Sequence, residues 1–131
     1  MSLPLLVLLG ILGIYLMTRG QRRADPDAAT LAELRRAGSD LARNHEIEFF
    51  LYLPDRAAAD LVAEQLTAEG FLVAVRPGEG GADWLCLATR EMSPELDELQ
   101  RLRRHLTAVA ESKDGAYDGW GATVVDAGDV A

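Results

Sequence analysis

The chain has 131 residues, 49% of them apolar and 26% charged, which suits one small globular domain and excludes a wholly disordered chain. Acids outnumber bases 21 to 13; Arg19, Arg22 and Arg23 cluster near the start, which leaves 10 bases against all 21 acids beyond them, a balance of −11. Phosphate backbones repel so acidic a domain, which argues against direct nucleic-acid binding and favours a basic protein partner.

Met1 to Thr18 carries no charged side chain, and Leu3 to Met17 is almost wholly aliphatic. At about 1.5 Å per residue this stretch reaches about 27 Å, enough to span a thin hydrocarbon core. Basic residues follow the stretch instead of preceding it, and Met17-Thr18-Arg19 is a poor cleavage site, so a cleaved signal fits less well. The expectation is an uncleaved transmembrane helix over residues 1–19, in a bacterial inner membrane, with the following domain on the cytoplasmic side. Residues 20–29 read as a linker, 30–126 as the domain and 127–131 as a tail. Cys86 is the sole cysteine, so no internal disulfide can form; between Leu85 and Leu87, with Trp84 near, it reads as a buried thiol in a reducing compartment.

Asp25-Pro26-Asp27 leads into a short helix, Ala28 to Ala37, closed by Gly38. It lacks a broad apolar stripe and is expected to pack loosely. Glu46 to Leu53 alternates, with Ile47, Phe49, Leu51 and Leu53 on one face and Glu46, Glu48, Phe50 and Tyr52 on the other, which predicts a strand buried on one side. Pro54 ends it, Asp55 can cap the next helix, and Ala58, Leu61, Val62 and Leu66 recur at helical spacing up to Gly70. Phe71 to Val75 and Trp84 to Thr89 predict two further strands, joined by the Pro77–Gly81 loop. That loop opens no helix and carries Glu79, so it reads as a hairpin connection and not as a phosphate cradle.

Ser93-Pro94 predicts a helix start, and Leu96, Leu99, Leu102, Leu106 and Val109 form an apolar stripe. Arg101, Arg103 and Arg104 on the other face read as solvated bases paired with acids upstream in the same helix. In Tyr117-Asp118-Gly119-Trp120-Gly121 two glycines bracket an indole, and Asp-Gly is a turn signal. The chain is expected to turn there, seat Trp120 either in the core or as a contact residue, and enter a last strand at Ala122–Val125.

The resulting order, βαββαβ, predicts an α+β ferredoxin-like sandwich whose antiparallel sheet carries both helices on one face. Phe50 and Tyr52 then lie on the open face, as candidate contact residues. Stacked RNA bases are opposed there by Glu46 and Glu48, so cover by the leading helix or by a protein fits better. His45 and His105 lie far apart with one cysteine elsewhere, which gives no metal-ligand spacing, and His105 reads as a surface residue. No nucleophile elbow, phosphate loop or zinc motif occurs. Asp118 fits a side chain that binds its own turn better than an acid/base catalyst. No enzyme and no cofactor are expected.

Leu34-Arg35-Arg36-Ala37-Gly38-Ser39-Asp40, the Glu46–Leu53 strand and Tyr117-Asp118-Gly119-Trp120-Gly121 together resemble the regulator of ribonuclease activity B family. The resemblance covers about Thr30 to Val125. It implies a non-catalytic split βαβ domain that inhibits ribonuclease E by binding it or its scaffold. Phe50, Tyr52, Tyr117, Asp118 and Trp120 are the candidate partner-binding residues. Typical members of that family are soluble and carry a strongly acidic tail, whereas only Asp126 and Asp129 follow the last strand here. A self-associating assembly module of the inner membrane is the other function class that the sequence allows.

Overall fold

The computed structural model describes residues 25–126. The expected anchor, residues 1–19, lies outside them; among the described residues no helix is long and apolar enough to cross a membrane. The elements are α1 (Pro26–Arg36), β1 (His45–Leu53), α2 (Arg56–Ala68), β2 (Leu72–Pro77), β3 (Trp84–Met92), α3 (Leu96–Glu111) and β4 (Ala116–Ala122). After α1 they run in the expected βαββαβ order.

Alternation in β1 does what period-2 spacing demands: Ile47, Phe49, Leu51 and Leu53 are fully buried, while the residues between them are not. β1 is central and antiparallel to both β3 and β4, and β2 flanks β3, so the strand order is β2-β3-β1-β4. Asp55 caps α2 by accepting from the Ala58 N–H at 2.8 Å, and Ala59, Val62 and Leu66 turn inward. From α3, Leu99, Leu102, Leu106, Val109 and Ala110 enter the same core, and from α1 Leu34 does so. All three helices therefore back one face of one sheet.

Three expectations change. First, α3 begins at Leu96 after Glu95, because β3 continues to Met92 and Ser93-Pro94 forms the connection instead of the cap. Second, the last strand is Ala116–Ala122 and not Ala122–Val125, so the Tyr-Asp-Gly-Trp-Gly run lies inside it. Third, α1 does not cover the open side of the sheet; it packs beside α3 and β4 on the helical side. Nor is it held loosely. Asp25 caps it, accepting from the Asp27 N–H at 2.8 Å and bonding Gln100 of α3, and Asp27 is completely buried.

The turn from α3 into β4 requires a residue without a side chain. Gly115 donates its N–H to the Ala110 carbonyl at 2.8 Å, and a Cβ there would stand 2.4 Å from the Tyr52 carbonyl oxygen. This close approach lets β4 begin directly alongside β1.

Candidate partner-binding surface

β4 pairs Trp120 with Phe49 and Tyr117 with Leu51, so two residues, Asp118 and Gly119, stand opposite the single Phe50. This is a β-bulge, with Gly119 at φ +96°. The extra residue shifts the alternation by one. Tyr117 and Trp120, three apart in sequence, consequently both face the helices, and Asp118 stands opposite Phe50 on the other side.

The five candidate contact residues are thereby divided. Trp120 is 8% exposed and its indole N–H donates to Asp27 Oδ1 at 3.1 Å. Arg103 holds the same carboxylate with two bonds, Nε to Oδ2 at 2.9 Å and Nη2 to Oδ1 at 3.0 Å. Its guanidinium lies 5.2 Å from the Tyr117 ring centroid. Arg103 is thus not paired with acids of its own helix, as Arg101 is with Glu98 at 2.6 Å; it reaches α1. The Tyr117 hydroxyl is buried with no hydrogen-bond partner among the described residues, and burial pushes its phenol far up against the pull of Arg103.

Phe50, Tyr52 and Asp118 stay together on the open face. Register places Phe50 beside Leu87, and Tyr52 beside Leu85. The Phe50 ring also reaches across Gly121, where a Cβ would meet its Cε2 at 4.0 Å. Burial first, and then the charges of Asp118, Asp83 and Glu79, raise the Tyr52 phenol above its ordinary value. Three acids therefore bear on one aromatic tip.

Partial desolvation where it lies against the sheet also pushes the Asp118 carboxyl up, against the pull of Arg103. An acid whose folded-state pKa exceeds its unfolded value loses stability for the fold as pH rises through the unfolded value, about 4. Asp118→Asn cannot ionise. It is expected to melt at a higher temperature than the parent near neutral pH, with the gap closing below about pH 4. Thermal unfolding at acid and neutral pH checks this. A variant less stable than the parent at neutral pH would mean that the carboxylate makes a favourable contact.

Sequence spacing missed a second cluster. His45 is 1% exposed; its Nδ1 lies 2.8 Å from the Arg43 carbonyl and its Nε2 2.6 Å from Ser39 Oγ. With the carbonyl able only to accept, Nδ1 is the donor of that bond, and Nε2 is hydrogen-bonded to the Ser39 hydroxyl. Ser39 Oγ in turn accepts from the Val125 N–H at 2.8 Å, and the Asp40 N–H donates to the Val125 carbonyl at 2.7 Å. Gly38 at φ +98° turns the chain out of α1, and the Ser39 N–H returns to the Leu34 carbonyl. The Gly-Ser-Asp triplet is thus a helix stop and a clasp on the segment after β4. Gly38 announced the helix stop in the sequence, but no spacing tied Ser39 to His45 or to the segment after β4.

His105 is partly exposed and bonds Glu69 Oε1 at 2.7 Å. Burial alone would raise the Glu69 carboxyl, but hydrogen bonds from Gln65 and His105 bring it below its usual value. Among the described residues no three His, Cys, Asp or Glu side chains are grouped to hold a metal ion.

The structure defines a small α+β domain, a four-stranded antiparallel sheet backed on one side by three helices. Its family follows from the sequence match. The chain belongs to the regulator of ribonuclease activity B family, whose family model matches residues 24–122. No curated protein matches the chain.

Proposed function

We propose that this chain is a membrane-anchored, non-catalytic regulator with a ferredoxin-like domain that restrains RNA degradation by docking onto ribonuclease E or its scaffold. The observation that carries this reading is the match to regulators of ribonuclease activity across residues 24–122. A balance of −11 beyond Arg23 supports a basic region of the nuclease as the docking target. The uncharged stretch Met1–Thr18, followed by Arg19, Arg22 and Arg23, supports an anchor whose domain faces the cytoplasm.

The test adds the purified full chain to ribonuclease E cutting a labelled RNA. The expected result is dose-dependent slowing of cleavage and recovery of ribonuclease E with the chain, both weakening as salt rises. Unchanged cleavage at saturating chain would overturn the target. Protease shaving of spheroplasts checks the anchor: the domain should survive intact until the membrane is opened.

A further inference from the structure

We infer that the open face of the sheet is the docking surface, and that its occupant is a basic polypeptide segment with apolar side chains set between its arginines or lysines. This rests on reading the chain as a protein-docking regulator. The centre of the face is apolar: Phe50 and Tyr52 of β1 pair with Leu87 and Leu85 of β3, and Ala74 of β2 pairs with Leu87 from the other side. Leu72, at the β2 end, is 74% exposed. Among the described residues none of the three helices covers these side chains, since each contributes to the core on the other side. An uncovered apolar centre of this kind marks a contact site.

The rim selects the partner. Register puts four acids, Glu46, Glu48, Glu91 and Asp118, on this face against one base, Arg76. Glu79 and Asp83 add their charge at the Tyr52 phenol. A second copy of the chain would bring two acidic rims together, which like-charge repulsion opposes. The chain's own residues 1–18 carry no charge to answer the rim, and the three bases that follow, Arg19, Arg22 and Arg23, lie within six residues of Asp25. The residue that leads back towards them, Asp25, is bonded to Gln100 of α3 on the opposite side of the sheet. RNA meets the same repulsion. A basic amphipathic segment matches both the centre and the rim.

The test uses the full chain and a fluorescent synthetic peptide that alternates arginine with leucine. Glu46→Lys with Glu48→Lys alters the open face; Glu64→Lys with Glu111→Lys makes the same charge change at exposed helix positions. The open-face pair should weaken peptide binding by about tenfold or more, and the helix pair by no more than about threefold. Equal losses would overturn the inference, because net charge alone would then explain binding. A Thr89→Cys label site gives a second readout that needs no charge reversal. Cys86 will not compete for maleimide, being fully buried with its thiol pushed up to about 11 by that burial. Bound peptide should slow labelling at position 89. Labelling unchanged by peptide, or already blocked in the free chain by its own N-terminal segment or a second copy, would overturn the inference.

Failure of the wider reading is separable. If the chain binds peptide on this face yet leaves ribonuclease E cleavage untouched, the docking surface stands and the proposed target falls. If Glu46→Lys with Glu48→Lys slows ribonuclease E as well as the parent does, the target stands and this surface falls.

Discussion

Arg103→Met is expected to destabilise the fold by about 3–5 kcal/mol, the largest effect of any single change on the surface of α3. The reason is the carboxylate it abandons. Asp27 is completely buried, and its oxygens receive two bonds from Arg103 and one from Trp120. Without the guanidinium, an anion shut off from water keeps a single neutral donor, and desolvation is no longer offset. Asp27→Leu combined with Arg103→Met removes the stranded charge along with its partner. The double variant should therefore recover much of the loss and fall well short of the sum of the two single changes. Denaturant unfolding with an unchanged slope measures this. A single-variant loss under about 1 kcal/mol, or strict additivity, would mean that water reaches the pair.

The same ion pair shows why part of the structure escaped sequence reading. β1, α2 and the apolar stripe of α3 follow periods of two or 3.6, and these are printed locally in the chain. Asp27 and Arg103 are 76 residues apart, and each looks like an ordinary surface charge among its sequence neighbours. Only the packing of α1 against α3 brings them together. β4 failed for the opposite reason: its signal was local and misleading. Asp118-Gly119 carries real turn chemistry, and Gly119 does adopt positive φ, but the structure spends that conformation on a bulge within a strand. A one-residue insertion breaks the alternation that would have announced the strand.

The residues that carry the family resemblance are for the most part framework. Leu34 enters the core, Gly38 and Ser39 stop α1 and clasp the chain after β4, and Tyr117, Gly119 and Trp120 form the bulge and its inward-facing aromatics. They identify the fold because the fold needs them. The surface to which docking is assigned is built mainly from Phe50 and Tyr52, which simple alternation placed on the outer side of β1, and from Leu85 and Leu87, which the β1–β3 register brings beside them. Recognition and proposed contact thus overlap only in part: β1 supplies core residues to one face and Phe50 and Tyr52 to the other, and Asp118 of the bulge joins them there.

Trp120 separates these two roles experimentally. Trp120→Ala is expected to cost about 3–5 kcal/mol, because an indole packed against Phe49 on the helical side leaves a cavity when truncated. Trp120→Phe retains a ring but loses the N–H that reaches Asp27 at 3.1 Å, a charged acceptor, and should cost about 1.5–3 kcal/mol. The difference between the two variants reports the packing alone. A loss under about 1 kcal/mol for the alanine variant would place the indole at the surface. Because the bulge turns Trp120 away from the open face, the phenylalanine variant should bind the arginine–leucine peptide as the parent does, despite its lower stability. Glu46→Lys with Glu48→Lys should do the reverse, weakening binding with little effect on unfolding. If stability and binding instead fell together in every variant, the sheet would not be presenting two independent faces.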